Sequence, residues 1–487
     1  MTPLDDLLFR DATDQLKALS TREITARQLL QIVVAQTDRL GTRLNAVVAR
    51  DLDRAYADAE RTDRSRANAF RIGRLGGLPM TVKDTLDVEG MPASAGIRTM
   101  LDRTAQDAIV VRHARTEGAI IWGKTNTPLK AGDWQTYNPL YGTTDNPWEV
   151  GLTPGGSSGG SAAAIAAGLS ALEIGADIGG SLRVPASFCG VFAHKPTYGL
   201  VSQAGLVPPE NRAADLDLAV VGPVARSARD LRLLLSIMVG KPISTEPVSL
   251  TGVRAALWLD EPTFALDGEV RTALEGFADR LVSLGIHVKP VKSPIPTKAL
   301  MSTYTMLLYS LIYADLDPAA RVLYEGLRSP AKLALALGAK PLSWAQGVVG
   351  ATARHREWLI ANETRARMQE VLNGFFSGYD VLLTPVSPTV AFPHDHRPIQ
   401  LRKLRLSNGR SISYLEMMNW IALATVAGLP ATVMPAARTA RNLPVGVQII
   451  GKKGADAKTL AVAEAIEQRL GGFHAPPSCL QAGERRS

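Results

Sequence analysis

The sequence predicts an α/β protein with a largely buried central sheet. Short apolar runs bounded by glycine or proline alternate with helical patterns along most of its length. One stretch, 253–291, reads as a complete strand–helix–strand unit. The composition agrees, since 46% of the 487 residues are hydrophobic and 21% charged, enough apolar material for a large core.

In chain order, residues 14–60 read as helical. Thr25 and Gln28 form a capping box ahead of ARQLLQIVVAQTDRL, and Gly41 supplies a stop. LPMTVKD (78–84) reads as a strand, AIVVRHARTEG (108–118) as a helix and AIIWGK (119–124) as a strand. SAAAIAAGL is a helix whose small residues permit close packing, and the buried segment ALEIGADIGGS (171–181) follows it. VRAALWLD (253–260), EVRTALEGFADRLVSLG (269–285) and IHVKPV (286–291) make the strand–helix–strand unit. From about 297 to 376 the pattern is helical with unusually apolar faces, fit either for core packing or for the wall of an apolar pocket. YDVLLTPVSPTVAFP (379–393) reads as a strand feeding a proline-rich loop, and NLPVGVQIIG (442–451) as a late core strand carrying Gln448.

The bulk numbers exclude several function classes. Net charge is +8, but the 54 basic residues are scattered, with loose clusters at 61–74, at 400–410 and in the tail GERRS. Each reads as a solvated face or loop, so no nucleic-acid partner is expected. The two cysteines, Cys189 and Cys479, form no CxxC pair, which argues against a disulfide framework or zinc site and fits a cytoplasmic location. The opening MTPLDDLLFRDATDQLK has acids where a secretory leader needs bases. The window 421–437 is short for a membrane span and contains Gly428, Pro430 and Pro435, so it reads as buried core, and no membrane partner is expected.

The chemistry centres on GGSSGGSAAAIAAGL (155–169), two adjacent serines among glycines just before a helix. A phosphate loop would need a lysine before the helix, and none is present. GGSSG satisfies G-x-S-x-G, the nucleophile elbow, with Ser157 as nucleophile. That motif requires a strand immediately upstream, whereas TTDNPWEVGLTP is polar and broken by Pro147 and Pro154. The S-x-x-K match Ser329–Lys332 contains a proline and lacks companion motifs.

Two further segments widen the pattern. GADIGGSLRVPASFCG (175–190) repeats Gly-Gly-Ser at Ser181, and GGLPMTVKDTLDVEGMPASAG (76–96) ends an apolar strand on Lys83. With TNTP…NPLYGTTDNPW (125–148) and GLP…LPVGVQIIG near the C-terminus, the chain resembles the amidase signature family of serine hydrolases. The resemblance is dense over about 75–225 and looser elsewhere. It implies one amidase signature domain over 1–487, a large mixed, twisted sheet wrapped by helices. Residues 1–75 would be an N-terminal helical segment, 76–225 the catalytic core and about 297–410 a helical and loop region contributing to the pocket. It implies no metal or organic cofactor, and a monomer or homodimer.

The resemblance also implies a triad without histidine. Ser181 is then the nucleophile, Ser157, preceded by a cis peptide bond, the bridge, and Lys83 the base. An alcohol needs a neighbour to remove its proton, and lysine can do so near neutrality only when burial lowers its pKa from about 10.4 to roughly 7–8. A carboxylate nearby would oppose that, so Asp84 is expected to point away. The N–H groups of Ile178, Gly179, Gly180 and Ser181 would meet the oxyanion. Ser158 would be a supporting hydroxyl, and Asp177 and Arg183 would fix the loop. Ala131 and Gly132 in KAGDWQTY (130–137) fall where relatives line the pocket, with Trp134 and Tyr137 as walls or packing residues.

The expected reaction is hydrolysis of a small-molecule amide, with esters and carbamates open, and the apolar helices after 300 favour an aryl or alkyl substrate. The alternative is a subunit that releases ammonia from glutamine for tRNA amidation with a partner chain. Such subunits carry an aspartate for the glutamine α-amino group, where YLEMMNWIALATVAGLP places Met418. Thr425 stands in place of a motif asparagine, and Glu416 is the carboxylate closest to the expected position.

Overall fold

A computed structural model describes residues 6–208, 213–244 and 246–480 of the protein. The basic tail GERRS lies outside the described residues. The strands in chain order are β1 (Val47–Arg50), β2 (Pro79–Lys83), β3 (Ile120–Thr125), the hairpin β4 (Tyr137–Asn138) and β5 (Gly142–Thr143), and β6 (Leu172–Asp177). Then follow β7 (Phe192–Lys195), β8 (Val220–Ala225), β9 (Arg254–Leu257), β10 (His287–Pro290) and β11 (Val381–Pro385). The hairpin β12 (Lys403–Arg405) and β13 (Ser411–Ser413) precedes β14 (Ala431–Arg438) and β15 (Pro444–Ile450).

Eleven strands form one mixed sheet, in the order β1-β3-β2-β6-β8-β7-β14-β15-β11-β9-β10. The parallel run β3-β2-β6 lies toward one side, the parallel β11-β9-β10 lies at the other, and antiparallel pairs join them. Strands β2, β3, β6, β7, β8, β11 and β15 are buried along their whole length, which requires cover on both faces. The helix Gly159–Ala166 supplies part of that cover, and its small side chains bring its backbone close to the sheet. The expected large mixed sheet with surrounding helices is the observed architecture.

Most elements fall where the patterns place them. Thr25 and Gln28 cap the helix Ala26–Leu44 reciprocally, and Gly41 breaks its helical geometry before it ends. The helical reading of 14–60 is corrected at Val47–Arg50, which pairs antiparallel with β3; the β-branched Val47 and Val48 fit a pleated edge better than a helix. The apolar stretch 297–376 divides into helices Thr297–Ile312, Pro318–Ala336, Trp344–Ala351 and His355–Gly378. The window 421–437 is core, split between a short helix Ala422–Val426 and strand β14. Among the described residues no helix is long and apolar enough to cross a membrane.

Three aromatic rings fasten the segment around 420 to the sheet. Trp258, just past β9, lies edge-on to Trp420 at 5.3 Å, and Phe264 closes the cluster 5.4 Å from Trp420. The Trp420 indole N–H donates to the carbonyl of Ala265 at 2.9 Å. Trp420→Ala is expected to cost about 3–5 kcal/mol of folding free energy. Urea unfolding of the variant beside the wild type measures it.

Candidate active site

Lys83 ends β2, and the alternation of the strand turns its side chain to the same face as Thr81. It is 1% exposed. Its Nζ donates to Ser157 Oγ at 2.7 Å and lies 3.5 Å from the carbonyl oxygen of Ala176. Burial pushes the amine down to about 7, although Asp177 and Glu173 favour its charged form. Asp84, the next residue, faces the other way, accepting from Ser94 and lying 3.8 Å from Lys124 Nζ.

Ser157 follows a cis peptide bond from Gly156. A Cβ on Gly156 would stand 2.4 Å from the carbonyl oxygen of Asp133, so only glycine fits there. Thr127 Oγ1 donates to the Ser157 carbonyl at 2.9 Å, which fixes the turn from the side of β3. Ser158 N–H donates to the Ser181 carbonyl at 3.1 Å, and Ser158 Oγ donates to Ala176 O at 3.2 Å. The two serine segments are therefore tied together through backbone. Ser181 itself is 6% exposed.

The loop after β6 turns at Gly180, whose φ of +90° belongs to the region that favours glycine. Asp177 organises that turn. One carboxylate oxygen accepts from Gly180 N–H at 2.9 Å, and the other accepts from Leu182 N–H at 3.0 Å. Arg183 donates to both oxygens, each at 3.0 Å. Burial alone would raise the Asp177 carboxyl, but the Arg183 guanidinium outweighs it and holds the group at about 2. Arg183 then reaches across the core to Thr425 Oγ1 at 2.7 Å, the carbonyl of Ile421 at 3.0 Å and Gln448 Oε1 at 3.3 Å. Of the four N–H groups expected at the oxyanion, that of Gly180 is engaged by Asp177. Those of Ile178, Gly179 and Ser181 have no protein acceptor among the described residues.

Beyond the triad, the aromatic residues separate. Trp134 is buried, and its indole N–H donates to Gly179 O at 2.7 Å, so it borders the loop after β6. Tyr137 instead stacks on His396 at 3.8 Å, and its hydroxyl accepts from Arg402, which also bonds Asp133 at 2.6 Å. Ala131 adopts φ +55° beside an exposed Gly132. Two residues that the sequence patterns did not single out join the site. Tyr304 Oη, from the apolar helix Thr297–Ile312, donates to Ile178 O at 3.2 Å, and Ile421 packs where a Cβ on Gly180 would come within 3.0 Å. No sequence signal separates Tyr304 from the neighbouring Tyr309, Tyr313 and Tyr324.

Met418 is buried and Glu416 half-buried. Among the described residues no group of three or more His, Cys, Asp or Glu side chains could hold a metal ion. A cleft of about 640 Å³ lies between Trp148, Phe277, Arg280, Arg438 and His474, and no triad residue lines it.

The comparisons with known proteins agree on a family. A family model described as Amidase matches residues 28–460. The chain is similar to a glutamyl-tRNA(Gln) amidotransferase subunit of Anaeromyxobacter sp. (strain K), with 31% identity over 510 aligned positions, covering 98% of this chain and 99% of the relative. Among solved structures it is similar to an amidase at 30% identity and a TM-score of 0.79, covering 95% of this chain and all of the other. It is also similar to the native peptide amidase of Stenotrophomonas maltophilia at 26% identity and a TM-score of 0.74, covering 96% and 98%.

Cutting the Asp177–Arg183 pair leaves a buried guanidinium without its countercharge. Asp177→Ala is expected to lose about 3–5 kcal/mol of stability, and chemical denaturation checks it.

Proposed function

The chain belongs to the amidase family, and on that premise we propose that it hydrolyses a carbon–nitrogen amide bond through an acyl-enzyme on Ser181. The observation that carries this reading is the contact of Lys83 Nζ with Ser157 Oγ at 2.7 Å in a site that holds the amine near 7. A neutral amine there takes the Ser157 proton while Ser157 takes that of Ser181, whose Oγ attacks the amide carbon. The N–H groups of Ile178, Gly179 and Ser181 are the candidate donors to the resulting oxyanion, each such donor being worth about 10²–10³ in rate. Running the relay backwards gives the proton to the leaving nitrogen, without which an amide anion would have to depart. Water then takes the place of Ser181 as nucleophile and releases the acid.

Trp134, Tyr304 and Ile421 border the nucleophile loop, which supports an apolar aryl or alkyl acyl group. Esters and carbamates would pass through the same acyl-enzyme chemistry.

A second reading has its own support. The Anaeromyxobacter relative is by name part of an amidotransferase, and it matches this chain nearly end to end. On that reading Ser181 releases ammonia from glutamine while a partner chain handles the tRNA. The curated relatives favour this role; the apolar border of the loop, and buried Met418 in place of the glutamine-binding aspartate, favour a free-standing hydrolase. Purified chain offered an anilide, an ester, a carbamate and glutamine separates the two. Turnover of the anilide by the chain alone supports the hydrolase, and glutamine turnover that requires an added partner supports the amidotransferase role.

The relay is read directly with a fluorophosphonate probe and intact-protein mass. One adduct is expected on the wild type and none on Ser181→Ala, with labelling of Lys83→Ala slowed about 10²–10⁴-fold. Because the amine must be neutral to act, wild-type labelling should rise as pH passes upward through about 7. A flat profile, or labelling lost in Ser157→Ala but kept in Ser181→Ala, overturns the assignment.

A further inference from the structure

Glu173, the second residue of β6, is a carboxyl with no exposure. Three hydroxyls meet it: Thr81 Oγ1 from β2, Thr125 Oγ1 from β3 at 2.8 Å, and Ser161 Oγ from the helix Gly159–Ala166 at 3.1 Å. These contacts map onto the triad. Thr81 stands two residues before Lys83 on the same face of β2, and Ser161 stands four residues after Ser157. Glu173 itself lies on the strand that runs into the Ser181 loop. One carboxyl therefore stitches together the three segments that carry the three proposed catalytic side chains.

We infer that Glu173 is the positioning residue of this centre, holding the three segments in register and presenting the negative charge that Lys83 meets whenever it takes the serine proton. The inference rests on the triad reading given above. Its chemistry is electrostatic: the proton moves from Ser157 Oγ to Lys83 Nζ, none leaves Glu173, and the new ammonium forms in the field of the Glu173 carboxylate as well as that of Asp177.

The other charges around it are few. Lys83 shares its face of the sheet from β2, Lys124 of β3 acts on it from the opposite face, and Asp177 lies at the far end of its own strand. Lys124 Nζ is itself held by the carbonyls of Leu86 and Pro92, beside Asp84. The helix Gly159–Ala166 and strand β8 carry no titratable side chain. Burial raises the Glu173 carboxyl to about 7 against the pull of its hydroxyl donors and Lys124, so its charge and that of Lys83 change over the same range.

The sign of a substitution follows. Glu173→Gln keeps the shape and removes the negative charge, which disfavours the Lys83 ammonium. The acidic limb of the reaction should move to lower pH by about one unit, and the plateau should fall about tenfold because the ammonium formed in the relay loses part of its countercharge. Ser161→Ala removes one donor to the carboxylate and should move the limb the same way by less.

The test is the second-order rate of fluorophosphonate labelling against pH for wild type, Glu173→Gln and Ser161→Ala, with thermal melting of each. A limb displaced downward in both variants supports the inference. Where Glu173→Gln does not fold, the Ser161→Ala limb alone decides, displaced in support or unmoved against. A uniform drop with an unmoved limb overturns it and leaves Glu173 as packing. Wild-type labelling that does not depend on Ser181 overturns the triad reading, and this inference with it.

Discussion

A lysine amine taken out of water loses several kcal/mol of hydration when charged, and Lys83 sits where β2, β6 and the serine turn converge with almost no surface of its own. That cost is what lowers the pKa and suits the side chain to the proposed role of base, so a more open site would forfeit it. The opposite error is also excluded. Asp177 is committed to Arg183, Asp84 lies beside Lys124, and Glu173 is wrapped in hydroxyls, so among the described residues no carboxylate pairs directly with the amine. Lys83 is left with the hydroxyl oxygen of Ser157 as its close partner.

The same economy holds the loop after β6 that carries Ser181. Asp177 accepts from two backbone N–H groups of that loop, and Arg183 carries the connection to Thr425, Ile421 and Gln448. Gln448 in turn donates to the carbonyls of Pro385 and Trp420, each at 2.8 Å. The loop is thereby referred to β15 and β11, on the far side of the sheet from Lys83. Movement of either half relative to the other would be felt at Ser181.

Much of the fold was legible because its elements obey local rules: the capping box at Thr25, the apolar runs of β2, β3 and β15, and the glycine-rich turns. Strand β1 escapes the helical reading of 14–60 because its four residues lie between two strongly helical segments, too short a run to show a period of its own. The buried runs of β7 and β8 carry no period to distinguish a strand from other core. Within the candidate site, Lys83, Ser157 and Ser181 stand in motifs, and the resemblance those motifs carry is what joins them as candidates. Glu173 and Tyr304 stand in none. Their placement depends on partners far along the chain, Thr81 for one and Ile178 for the other, and such pairings leave no mark in a local pattern. Tyr137 shows the converse, since a plausible pocket wall is taken up instead by Arg402 and His396.

The two outermost strands of the sheet have a bearing on how the protein behaves among its own copies. A sheet of eleven strands ends in two rows of unpaired backbone groups, and such rows invite another chain to continue the ladder. Here both ends are short. β1 has four residues and a register irregularity between Val47 and Ala49, while β10 carries Lys289 and finishes on Pro290, which has no N–H to offer. A neighbouring molecule arriving at either margin finds too few aligned donors and acceptors to add a strand. The sheet can thus remain large and apolar inside without becoming a template for fibrous growth.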